Sequence, residues 1–201
     1  MSIELDSRKG LAQIRRIYED YPKQSERAAV LAVNEAARFG RAEGLREMKK
    51  QVNLGVQYMG DRLVIDQRAR EGDIVATIVG RYRPTSLARF ITGVFKRGKP
   101  VKVKVKADGG TKLIPGAFPV RLRAGKELGN EGLAVRLRHG QAPKNFKGIK
   151  LREDKSGVTY LLYGPSVDQI FRTVRDDITP AIGERLSNEF TRQFARLTAN
   201  G

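Results

Sequence analysis

Five small residues spaced four apart, Ala28, Ala32, Ala36, Gly40 and Gly44, constrain the fold of this chain more than any other feature. Four-residue spacing aligns side chains along one face of an α-helix. The line falls in a segment running from about Pro22 or Ser25 to about Lys50. Proline suits the first turn of a helix, and at ~1.5 Å per residue the segment makes a rod roughly 40 Å long. Ala29, Val33, Ala37 and Leu45 run beside the line. Each interior glycine costs about 1 kcal/mol relative to alanine, so the stripe predicts a closely packed backbone that offsets this. The charges in GRAEG exclude the membrane-dimer use of small-residue spacing.

Helical periodicity returns at the end of the chain. Val167, Ile170, Phe171, Val174, Ile178, Ile182, Leu186, Phe190, Phe194 and Leu197 follow one another at steps of one to four residues, tracing one apolar face. Ser166 is a suitable N-cap, with Asp168 in the first turn. Pro180 should bend or break the helix near Ile178, giving two collinear pieces or a kinked rod. A shorter helix is expected over 7–20, with Leu11, Ile14 and Tyr18 on one side, Ser7 as cap and Tyr21-Pro22 as its end.

Between the helices the pattern changes to β. Residues 53–60 read as a turn with one further helical turn. RLVIDQ (62–67) and DIVATIVG (73–80) bracket a hairpin turn at Arg70-Glu71-Gly72. Strands are expected in SLARFITG (86–93), VKVKVK (101–106), AFPVRLR (117–123), LAVRLR (133–138) and VTYLLYG (158–164), with Gly109-Gly110 turning the chain after the lysine strand. Residues 139–156 read as an irregular loop. The expected fold is α+β: an antiparallel or mixed sheet with a long N-terminal helix and a long, Pro-kinked C-terminal helix packed on it. It is expected as a single domain over 1–201, with a helical part to residue 60, a basic β-rich part over 61–164 and the terminal helix from 165.

The net charge is +17, and it is unevenly placed. Residues 81–155 hold 20 Lys/Arg against 5 Asp/Glu, whereas 1–80 and 156–201 are close to neutral. Charge concentrated in this way points to an acidic partner or a polyanion. Lys102, Lys104 and Lys106 alternate with valines, and Arg121, Arg123, Arg136 and Arg138 alternate with aliphatics. Strand side chains alternate in direction, so these seven cations would lie on one side if the strands share a sheet. Like charges about 5 Å apart repel by roughly 1 kcal/mol even at the dielectric of water, which a carboxylate- or phosphate-bearing partner would relieve. The same alternation also describes the solvated side of a sheet. Aromatics are missing from the cationic positions, so any nucleic-acid contact would be electrostatic and without base reading.

Little in the sequence resembles a catalytic centre. His139 is the only histidine, and no nucleophile stands near it in sequence. GKP (98–100) and GGTK (109–112) lack P-loop spacing. Glu153-Asp154 and Asp176-Asp177 read as charged surface. With no cysteine there are no disulfides or thiolate ligands. Neither enzymatic activity nor any metal or cofactor is expected. No window reaches the roughly 18–20 apolar residues that span a bilayer, and MSIELDSRKG lacks the apolar core of a signal peptide, so no membrane partner is expected.

Two segments carry a family resemblance: the helix RAAVLAVNEAARFGRAEGLREMKKQVNL and the ending LLYGPSVDQIFRTVRDDITPAIGERLSNEFTRQFARL. SLARF, the VKVKVK strand and LIPGAF stand between them in order. The set, from about residue 25 to 197, resembles the minor tail protein Z family of lambda-like phages and, more loosely, the tail completion proteins of siphophage necks. The resemblance implies a structural protein of the virion, assembled in the host cytoplasm at the head-proximal end of the tail. There it would complete the tail so that it joins a head, as a ring of six copies matching the tail's symmetry. Its implied neighbours are the tail terminator, the tail tube and the head-side connector, with possible non-specific contact to genomic DNA. Two other expectations fit the residues. One is a free, non-sequence-specific nucleic-acid-binding protein acting through a basic sheet face. The other is an adaptor in another acidic assembly.

Overall fold

A computed structural model describes residues 19–96, 99–122, 131–144 and 146–199. The helix expected over 7–20 therefore lies almost wholly outside the described residues, as does Arg123. The fold is α+β. In chain order, α1 spans Pro22–Gln51, α2 Val56–Gly60, β1 Leu63–Gln67, β2 Thr77–Gly80 and β3 Thr85–Ser86. A 3-10 turn at Leu87–Phe90 follows. Then come β4 (Val101–Val103), β5 (Lys112–Ile114), β6 (Ala117–Arg121), β7 (Glu131–Leu137), β8 (Lys147–Asp154), β9 (Gly157–Gly164) and α3 (Val167–Ala199). The described residues divide into two compact units. One comprises 19–43, 65–78 and 176–199; the other comprises 44–64 and 79–175.

In the first unit, Ala28, Ala32, Ala36 and Gly40 are buried along α1. The second half of α3 runs antiparallel to this stretch: Tyr21 meets Phe194, Glu35 meets Arg185, and Gly40 meets Ile182. The small-residue line thus has the close neighbour it called for. A Cβ at Gly40 would stand 2.7 Å from Ile182 Cδ1. The hairpin turn is held by the reciprocal backbone bonds of Arg70 and Asp73, with Gly72 at a φ of 78°, a conformation that glycine adopts without strain. Glu26 accepts a bond from the Gly72 N–H, and Asn34 exchanges two bonds with the Ala69 backbone.

The helix α3 is one continuous element through Pro180 rather than two pieces. Thr179, Pro180 and Ala181 are exposed, so water can serve the carbonyl deprived of its helical N–H. Its apolar face is unevenly covered. Ile178 is buried, whereas Ile182, Leu186, Phe190, Phe194 and Leu197 are half-buried, and the fully covered positions among them are Glu189 and Gln193.

The second unit carries the basic segment. Its main sheet is antiparallel, ordered β3-β9-β7-β6, with β8 also paired to β9. Leu133, Ala134, Val135, Val158, Leu161 and Leu162 are buried at its centre. A two-stranded sheet of β4 and β5 stands apart from it in the pairing. Ser166 caps α3 as expected: its Oγ accepts the Gln169 N–H at 3.0 Å, and Gln169 Oε1 accepts the Ser166 N–H at 3.1 Å, a reciprocal capping box.

Three β expectations are corrected. Of SLARFITG only Ser86 belongs to a strand, the two-residue β3, which runs into the 3-10 turn. Ser86 Oγ accepts the Ala88 N–H, and Phe90, wholly buried, presses its ring on Gly164 where a Cβ would collide. VKVKVK is a strand only over Val101–Val103. Beyond it the backbone stays extended but changes partners: Lys104 N–H donates to Phe90, and Asn53 N–H then donates to Val105. The expected loop over 139–156 contains β8, which pairs with β9 from Lys147 to Asp154 with a bulge between Lys150 and Arg152. Its side chains are almost all exposed, so it lacks the apolar alternation that marks a strand in sequence.

Candidate functional site: a lysine-rimmed cleft

The six described cations of the predicted seven do not share one face. Lys102, Lys104 and Lys106 belong to the β4 segment, outside the main sheet. Arg121 pairs with Glu131 on β7, and Arg136 lies five residues further along that regular strand. Paired residues share a face and successive residues alternate, so Arg121 and Arg136 project from opposite faces. Arg138 follows the end of β7, where its N–H donates to Gln141 Oε1.

Arg136 is engaged within the molecule. Its guanidinium reaches Asp154 Oδ2 at 3.4 Å and Ser156 Oγ at 2.9 Å. Asp154 is also met by Arg152 at 3.6 Å, and hydrogen bonds from Ser156 hold its carboxyl below the usual aspartate range, with Arg136 and Arg152 adding to the effect. Glu153 accepts from Lys150 and lies 3.1 Å from His139 Nδ1. Both groups lower its pKa, Lys150 more than His139. The Glu153-Asp154 pair is thus an internal counter-charge for this corner of the sheet. Two further cations are engaged by a ring: Arg62 and Arg89 lie over the Tyr58 ring at 3.8 and 4.1 Å.

A different set of cations converges on a cleft of about 550 Å³. Its floor is aliphatic, formed by Leu87, Val103, Val105 and Pro165, and Phe146 and Tyr163 form a wall. Lys106, Lys112 and Lys147 line it. Register fixes the side on which two of them lie. Lys112 pairs with the buried Val103 and so lies on the same side of its two-stranded sheet. Lys147 pairs with Tyr163 across β8 and β9. Lys112 Nζ stands 5.8 Å from the Phe146 ring, and burial raises the Tyr163 phenol above the ordinary tyrosine range. Among the described residues, the lining contains no carboxylate and none of the three lysines has an acidic partner.

A second cavity of about 450 Å³ shares Val105, Lys106, Pro165 and Gln169 with the first and adds Lys50 and Asp108. Of the six described residues among the sequence-predicted seven, the cleft takes only Lys106. No local sequence pattern marks Lys112, Phe146, Lys147 and Tyr163: they come from two separate sheets and the segment before β8, and the tertiary packing of these pieces brings them together. Among the described residues no cluster of His, Cys, Asp and Glu could hold a metal, and no helix is long and apolar enough to cross a membrane. Compared with known proteins, the chain matches no family model, no curated protein and no solved structure.

Proposed function

We propose that this protein is a non-catalytic structural component of a phage tail neck, whose basic β unit docks against an acidic protein neighbour. The observation that carries the docking part is the lysine-rimmed cleft, which gathers three cations around an apolar floor with no carboxylate among its described lining residues. An uncompensated cluster of this kind favours a negatively charged partner. The tail-neck part rests on the ordered resemblance to the minor tail protein Z family, with its long small-residue helix, GPS turn and terminal helix. On this reading the protein acts as a ring of copies at the head-proximal end of the tail, between the tail proteins and the head-side connector.

A free nucleic-acid-binding protein is the less favoured reading, because Arg121 and Arg136 leave opposite faces, so the main sheet does not gather these two cations on one surface for a phosphate backbone. The test is electron microscopy of phage particles assembled without this protein. Full-length tails that fail to join heads are expected. Normally joined particles would overturn the reading.

A further inference from the structure

The chemistry of the cleft specifies its occupant more closely than its charge does, and the step rests on the acidic-partner reading above. We infer that the cleft receives an acidic polypeptide segment carrying one large apolar side chain, which enters the cleft while flanking carboxylates meet Lys106, Lys112 and Lys147. The volume, about 550 Å³, falls within the range of roughly 300–1,000 Å³ common to ligand clefts.

The floor argues for a side chain rather than a nucleobase. Leu87, Val103, Val105 and Pro165 offer apolar surface, and Gln169 is the one side-chain amide among the described lining residues. A base's own N–H donors would find only Gln169 Oε1 and the Tyr163 hydroxyl as acceptors among the described lining side chains, and a donor buried without a partner is unfavourable. Phe146 has Lys112 near its ring, so it is not a free stacking platform. An aliphatic or aromatic side chain meets the floor without unpaired groups, and the three ammonium groups supply a charge complement to neighbouring carboxylates.

Gly110 provides a means of blocking the cleft without disturbing the fold. It lines the cleft, nothing stands within 4 Å of where its Cβ would be, and its φ is not positive. A leucine there would project into open space.

The experiment is fluorescence anisotropy with the full chain and two labelled probes: a short polyglutamate peptide with a central phenylalanine, and the same peptide with serine in its place. The phenylalanine probe should bind at least about tenfold more tightly. Gly110→Leu, and separately Lys112→Glu with Lys147→Glu, should each weaken it by about tenfold or more with an unchanged melting temperature. Arg136→Gln, outside the cleft, should bind as wild type does. Equal affinity for the two probes, no binding of either, or insensitivity to both cleft variants would overturn the inference. So would an oligothymidylate probe that binds more tightly than the peptide and is lost in the same variants. Particles carrying Gly110→Leu separate the two levels. If they join heads and tails normally while particles lacking the protein do not, the cleft inference fails and the neck reading stands. If particles lacking the protein also join normally, the neck reading itself fails.

Discussion

Gly40 and Ile182 pack so closely that a Cβ on the glycine would stand 2.7 Å from the tip of the isoleucine. Gly80 is equally crowded, but its neighbours are backbone atoms: Asp168 Cα at 2.7 Å and Asp168 N at 2.9 Å. A half-buried isoleucine tip can move aside, whereas the first turn of a capped helix cannot do so easily. Gly40→Ala should therefore stay within about 1 kcal/mol of wild type, since the helix-propensity gain of about 1 kcal/mol offsets the side-chain shift. Gly80→Ala should lose about 1–3 kcal/mol through overpacking. Urea melts of the two variants check this, and equal losses would show that Ile182 is held as rigidly as the Asp168 backbone.

The capping box at the start of α3 carries its own expectation. Ser166 is 1% exposed and accepts the Gln169 N–H. Ser166→Ala should destabilise by about 1 kcal/mol, within the range of about 0.5–2 found for lost N-caps. Ser166→Asp should retain most of the stability, since a carboxylate accepts the same bond and suits the positive end of the helix dipole. Circular dichroism melts of both variants measure the difference.

Glu189 confers a pH dependence. Arg192 reaches its two oxygens at 2.6 and 3.0 Å, and Gln193 Nε2 donates at 2.6 Å. These bonds, Arg192's first, pull its pKa down to about 2, against an unfolded glutamate value of about 4.3. A depressed acid contributes stability that is present above the unfolded pKa and lost as pH falls through the folded one. Stability should thus decline between about pH 4.3 and pH 2. Glu189→Gln should flatten part of that decline, as read from melting temperatures across the interval. An unchanged slope would mean that the Arg192 contact does not persist in solution.

Arg136 lies on the sheet yet is predicted not to contact the acidic partner. Its guanidinium is engaged by Asp154 and Ser156, and its side chain remains 46% exposed. Exposed ion pairs are worth about 0–1 kcal/mol, so Arg136→Gln should cost less than about 1 kcal/mol in stability. In particles, head–tail joining should persist in Arg136→Gln and fail in Lys112→Glu with Lys147→Glu. Loss of joining in Arg136→Gln alone would return the contact to the main sheet.

Both long helices were legible in the sequence because each carries its own periodicity: the Ala28-to-Gly44 line and the face from Val167 to Leu197 need no knowledge of a partner. The Ser166 cap and the Arg70–Asp73 turn were legible for the same reason, since their partners lie within three residues. Strand β8 was not legible. Its exposed, lysine-rich composition resembles a loop, and its pairing with β9 depends on a neighbour rather than on local preference.

The sequence by itself determined where the positive charge collects, between residues 81 and 155, and which stretches alternate apolar with cationic residues. Only the tertiary structure decided which cations meet. Alternation sets a side chain's face within its own strand, but strand register sets which faces coincide, and register is a non-local property. A five-residue offset on β7 puts Arg136 on the face opposite Arg121, while the packing of two separate sheets brings Lys112 and Lys147 to the same cleft.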